Sequence, residues 1–202
     1  SVLIAAVLLM LPVFSGAAGF DSLKKTYAGI NSLEARFHQK LFMENVKKER
    51  EFDGEFLYKR GKGFLWRYTK PKGKYFLYDG QFIWQDEEEK NFVTKQKVDK
   101  QKTGGTFFDL IDDISKLDDL FTLKQESIAG DMTVMELVPK KDATITVAKM
   151  WIDKQNVIRK IQTTEFSGNI NTIEFSAVRI NQAISDAKFI YSPDKKKEIV
   201  EQ

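Results

Sequence analysis

Between Phe52 and Phe92 the chain carries twelve of its 25 aromatic residues, set in short alternating runs broken by glycine. Phe52, Phe56 and Tyr58 share one parity, and after a turn at 61–63 so do Phe64, Trp66 and Tyr68. A side-chain period of two puts each trio on one face of a strand. Each ring buries roughly 150–250 Å², so this is more aromatic surface than one small sheet needs to fill its core. Rings lining a hollow for an apolar ligand account for the surplus. With no Cys and a single His, the common catalytic groups are scarce. The pattern points to a container rather than a catalyst.

The alternation continues on both sides of this region. From Leu33, residues Ala35, Phe37, Gln39 and Leu41 fall on one parity and Arg36, His38 and Lys40 on the other, as in a half-buried strand. Further strands are expected at 51–59, 64–69, 74–79, 81–86, 91–95, 120–125, 131–138, 144–153, 157–166, 170–180 and 189–191. Turn signals separate them, among them Pro71-Lys72-Gly73, Asp79-Gly80 and Ser167-Gly168-Asn169. Two segments have helical spacing instead. Asp21 is expected to start a short helix carrying Leu23, Tyr27 and Ile30, with Gly29 and Asn31 ending it. Thr106 opens the second, in which Phe107, Leu110, Ile111, Ile114 and Leu117 fit the i, i+3, i+4, i+7 rule. So many strands around one helix predict a single curved antiparallel sheet of about 11 strands, which curls to protect its edges and leaves room for a ligand.

At 202 residues the chain has room for one domain with a sizeable core. A net charge of +3 is too mild to argue for nucleic acid, and no nucleic-acid motif is present. Val2 to Phe14 is almost wholly apolar and is followed by the small residues Ser15-Gly16-Ala17-Ala18-Gly19. That is the core and cleavage region of a secretory leader, well short of the ~20 apolar residues of a membrane-spanning helix. Residues 1–18 are therefore expected to be a partial, cleaved signal peptide and 19–202 a single exported domain. No Cys stands at the junction to carry an acyl anchor.

Few side chains suggest chemistry. His38 shares its parity with Arg36 and Lys40, so it is expected on the solvent face and not at a metal or a nucleophile. Glu87-Glu88-Glu89 reads as a solvated turn, and Lys195-Lys196-Lys197 as a solubilising tail. Arg60 continues the parity of Phe56 and Tyr58 to a strand end, where a buried guanidinium needs acceptors. It either latches the 106–117 helix, which carries Asp109, Asp112 and Asp113, or is an exposed turn residue beside Lys59 and Lys62. That helix is in turn either a permanent plug of the core or a lid swinging on Gly104-Gly105. The expected cavity lining is Phe37, Phe56, Tyr58, Phe64, Trp66, Tyr68, Trp84, Phe107, Leu110, Ile111 and Ile114.

Several segments together resemble the LolA family of periplasmic outer-membrane lipoprotein carriers. They are Ser32-Leu33-Glu34-Ala35-Arg36-Phe37-His38-Gln39-Lys40, Gly54-Glu55-Phe56-Leu57-Tyr58-Lys59-Arg60, Phe64-Leu65-Trp66-Arg67-Tyr68-Thr69-Lys70-Pro71, Asp79-Gly80 and Ala187-Lys188-Phe189-Ile190-Tyr191-Ser192-Pro193. The resemblance implies an unclosed half β-barrel capped by short helices, whose interior shields the acyl chains of a lipoprotein. It implies a periplasmic monomer without catalytic activity, metal or cofactor. Its cargo would come from an inner-membrane ABC transporter of the LolCDE type and pass to an outer-membrane acceptor of the LolB type. The family's latch arginine falls on Arg60, its cavity aromatics on Phe64 and Trp66, and its lid apolars on Phe107, Leu110 and Ile111. Two positions depart from the family: Gly61 and Thr106 stand where prolines are common. The same fold serves lipid-sensing regulators of envelope stress, which is the alternative reading. A secreted lipid hydrolase would need a nucleophile and a base, and no G-x-S-x-G run exists.

Overall fold

The computed structural model describes residues 17–98, 114, 117–141, 144–192, 194 and 196–202. Twelve strands form one open, curved sheet. A first meander runs through β1 (Ser32–Met43), β2 (Lys48–Lys59), β3 (Gly63–Lys70), β4 (Lys72–Tyr78), β5 (Phe82–Glu87) and β6 (Phe92–Lys97). A second runs through β7 (Phe121–Ala129), β8 (Met132–Pro139), β9 (Ile145–Ile152), β10 (Ile158–Glu165) and β11 (Ile170–Ile180). The two are sewn together by an antiparallel ladder between β1 and β11. The unclosed barrel expected from the sequence is the fold observed.

One strand was not anticipated. β12 (Glu198–Glu201) lies parallel to β6 and covers that edge, so the sheet is mixed rather than purely antiparallel. The run at 189–191, expected as the last strand, instead follows a 3-10 turn, Asp186–Phe189. Its apolar residues cross the outer face of the sheet rather than pairing with an edge: Phe189 is buried against Leu65 and Leu77, and Tyr191 stacks on Trp84 at 4.2 Å.

Helix α1 (Ala17–Ala28) starts before Asp21, because Ala17 and Ala18 are strong helix formers and extend it by a turn. The expected leader otherwise lies outside the described residues. A four-residue helix, α2 (Leu117–Leu120), leads into β7. Both helices sit on the inner face, where Phe20, Leu23, Ile114 and Leu117 are buried against strands of the second meander.

The inner face carries two clusters. Phe37, Phe56, Phe64, Trp66 and Tyr78 fill the first-meander side, and Leu137, Met150, Ile152, Ile158 and Ile161 fill the other. Gly54 makes the aromatic packing possible. It lies opposite Phe37 in the β1–β2 ladder, and a Cβ there would stand 2.2 Å from the Phe37 ring. The ring occupies the space a side chain would need.

Candidate functional site: an apolar void beneath a latched helix

Parity within β1, β2 and β3 brings the expected aromatic wall together. Phe37 stacks on Trp66 with centroids 4.0 Å apart, Phe56 meets Trp66 at 5.5 Å, and Phe64 meets Tyr78 at 5.5 Å. Phe37, Phe56, Phe64 and Trp66 are each at most 4% exposed, so these rings are packed rather than splayed. Tyr58 is half-buried at the margin. Tyr68 stands at the far end of the row, donating from its hydroxyl to Gln39 Oε1 at 3.0 Å. There Leu41, Phe52, Tyr68 and Pro71 help line an open groove of about 340 Å³.

Trp84 belongs elsewhere. Its β5 position pairs with Leu77, which points to the outer face with Leu65 and Leu57. It therefore packs with Tyr191 and donates to Asp79 Oδ2 at 2.8 Å. Phe107, Leu110 and Ile111 lie outside the described residues, while Ile114 is buried on the inner face.

The space these rings leave is a void of about 40 Å³ bounded by Tyr27, Leu33, Ala35, Phe56, Ile114, Ile158, Ile161, Phe175 and Val178. Two of the expected lining residues, Phe56 and Ile114, are among them. The sequence does not mark the remainder as lining, although it places Tyr27, Leu33 and Ala35 on helix and strand positions. For Val178 one local device explains why. Ala177 adopts φ +49°, and β11 spends three steps, Ser176 to Arg179, where β1 spends two, Arg36 to Glu34. This β-bulge shifts the strand's parity, so Val178 and Ile180 join Ile173 and Phe175 on the inner face. No Gly or Asn marks the bulge in the sequence.

The void has a wholly apolar lining apart from the Tyr27 hydroxyl, and that hydroxyl is engaged: it accepts from the backbone N–H of Ile158 at 3.1 Å. Desolvation pushes the Tyr27 phenol up to about 12, so it stays neutral at ordinary pH. Above it, Arg60 grips the C-terminal end of α1. Its Nη2 donates to the carbonyls of Tyr27 (2.8 Å), Ala28 (3.1 Å) and Ile30 (2.7 Å), and its Nε donates to Ile30 at 3.2 Å. A helix C-terminus offers unpaired carbonyls and partial negative charge, so a guanidinium fork fits it well. Arg60 thus finds its acceptors among the described residues in carbonyls at the end of α1, while Asp109, Asp112 and Asp113 lie outside the described residues. Lys24 adds a bond from α1 to Asp118 of α2 at 2.6 Å, which holds the Asp118 carboxyl below its usual range.

The described residues offer little to a chemist. His38 is half-exposed on the outer face, paired with Asp53 at 2.8 Å. No group of three or more His, Cys, Asp or Glu side chains among the described residues is placed to hold a metal. On the outer face, Lys59 and then Lys62 hold Asp186 down to about 2, fastening the 3-10 turn to the sheet.

The family model of the outer membrane lipoprotein carrier protein LolA matches residues 28–192. The chain belongs to the LolA family. It is similar over nearly its whole length to carriers of that name. An outer-membrane lipoprotein carrier protein of Chromobacterium violaceum is 29% identical over 97% of this chain and 94% of the relative. One of Neisseria meningitidis is 26% identical over 95% and 92%. Among solved structures, a LolA-superfamily protein of Nitrosomonas europaea aligns with TM-score 0.50 at 11% identity, covering 89% of this chain and 99% of that one. An uncharacterised conserved protein of Thermus thermophilus aligns with TM-score 0.59 at 11% identity, covering 92% and 98%. These two share the fold. In this LolA-family chain the described site is an apolar void with the C-terminal end of α1 held over it by Arg60.

Proposed function

We propose that this LolA-family chain is a periplasmic carrier that encloses the acyl chains of lipoproteins and takes them from the inner to the outer membrane. The observation that carries the reading is the apolar void under α1, whose end is held by Arg60 side-chain hydrogen bonds that are no part of the strand ladders. Ligand pockets hold roughly 300–1,000 Å³, so a void of about 40 Å³ is a shut form that has to widen before it takes a chain. Each CH₂ moved out of water contributes ~0.8 kcal/mol, enough for one acyl chain to hold its carrier without a polar contact. The Arg60 bonds come from a charged donor, a class worth roughly 1.5–3 kcal/mol; they exist in the shut form and oppose that widening. They therefore favour release of cargo.

The supply of cargo by an inner-membrane ABC transporter of the LolCDE type and its delivery to a LolB-type acceptor belong to the same proposal. A two-step transfer assay tests it, with lipoprotein-loaded donor membranes, the purified chain and acceptor. The wild type is expected to complete both steps. Arg60→Leu is expected to take cargo normally and to deliver it poorly, holding it up to ~10–100-fold more tightly, since 1.4 kcal/mol is a factor of ten. Normal delivery by the variant removes the latch from the account, and failure of the wild type to take cargo removes the carrier role.

A further inference from the structure

The sheet is not continuous where the void lies. β10 pairs with β11 only from Lys160 to Thr164, opposite Glu174 back to Ile170. Beyond that, β11 follows β1 through the Ala177 bulge, and among the described residues no strand residue pairs with the first residue of β10, Ile158, on that side. Ile158 does pair with Ile152 of β9 on the other side. A backbone N–H at the open side of a buried strand end needs an acceptor, and Tyr27 supplies it from α1 through its hydroxyl. The Tyr27 ring meanwhile forms part of the wall of the void and packs against both inner-face clusters. Its carbonyl is one of the three that Arg60 grips, and the same carbonyl accepts from the N–H of Ile30. One residue thus touches the cargo space with its ring, the split in the sheet with its hydroxyl and the latch with its backbone.

We infer that Tyr27 couples filling of the void to release of the latch: cargo that enters displaces the ring, withdraws the hydroxyl from Ile158 and carries the last turn of α1 out of the grip of Arg60. Tyr27 acts here as a positioning residue, and the inference rests on the carrier reading for the identity of the cargo. The mechanics require only a two-state α1. About 40 Å³ is too small for an acyl chain, so a chain that enters must displace lining groups, the Tyr27 ring among them. The Tyr27 ring packs against both inner-face clusters and χ1 of a helical residue has few open rotamers, so displacing the ring pushes on the helical turn whose carbonyl Arg60 holds. The two holds should therefore open together rather than one after the other.

Backbone hydrogen exchange on the full chain tests the coupling first without any ligand. Tyr27→Phe, which keeps the ring and removes the hydroxyl, is expected to speed exchange at the Ile158 amide. Arg60→Leu touches neither Ile158 nor the ring, yet is expected to speed exchange at the same amide, because Tyr27 leaves with α1. An Ile158 amide as protected in Arg60→Leu as in the wild type overturns the inference and leaves the carrier reading standing. In a second arm, a fluorescent fatty acid is titrated into each protein. Saturation of the wild type is expected to deprotect Ile158, and Tyr27→Phe is expected to bind the probe about twofold to tenfold more tightly, the range that one neutral hydrogen bond spans. Binding of the probe with the Ile158 amide still protected overturns the inference, while absence of binding in wild type and variants alike overturns the carrier reading.

Discussion

The two halves of the inner face are filled by different kinds of side chain. On the first-meander side, rings stack on rings: Phe37 on Trp66, Phe56 on Trp66, Phe64 on Tyr78. On the second-meander side the filling is mainly aliphatic, with Leu137, Met150, Ile152 and Ile161 all at most 2% exposed and Phe121 a strand-borne ring buried among them. Flat rings in offset and edge-on contact make a stiff wall with well-defined geometry, whereas an unbranched methionine such as Met150 adapts to irregular space. The void sits at neither centre but along the seam, between Leu33, Ala35 and Phe56 on one side and Ile158 and Ile161 on the other. A seam between a stiff wall and an adaptable one is where a cavity can widen at least cost, since the aliphatic side can repack while the rings stay in place. The aromatic surplus in the sequence is thus mainly packed wall, and the apolar void lies beside it.

That contrast can be broken at three points. Trp66→Ala removes the centre of the wall and is expected to cost about 3–5 kcal/mol, as truncation of a buried large aromatic does. Denaturant unfolding measures it, and a loss below ~1 kcal/mol would mean that the rings are not a packed wall. Ala35→Val adds two methyl groups at the seam. Overpacking a buried site costs about 1–3 kcal/mol and the adjoining void puts this change at the low end, while a fatty acyl probe loses space equivalent to two methylenes, ~0.8 kcal/mol each, or roughly tenfold in affinity. Unchanged affinity with unchanged stability would place the binding space elsewhere, with the open groove beside Leu41 and Phe52 as the next candidate. The smallest effect is expected at Ala177→Gly. A non-glycine residue in the left-handed region costs ~1–2 kcal/mol and glycine loses ~0.5–1 kcal/mol in entropy, so a net gain of up to ~1 kcal/mol should appear as a raised unfolding midpoint. A marked loss would show that the Ala177 methyl itself packs to shape the seam.

Where alternation was clean, the sequence could be read directly. Ala35, Phe37 and Gln39 are buried and Arg36 and Lys40 exposed, as their parity requires. Reading failed in Phe82-Ile83-Trp84, which is apolar on both faces, so nothing local says which way Trp84 points; its register against Leu77 decides. It failed again in β11, where a bulge at an ordinary alanine reverses the parity without a glycine to announce it.

The sequence by itself determined the strand-rich architecture, the aromatic wall and an arginine needing acceptors at a strand end, because periodicity and side-chain size act within a few residues. Only the tertiary structure decided what Arg60 grips, where the void lies and that Tyr27 stands between them. Those depend on contacts such as Arg60 with Tyr27 and Tyr27 with Ile158, which lie 33 and 131 residues apart in the chain. A side chain's local pattern says that it needs a partner. The packing of α1 across the split sheet is what supplies one.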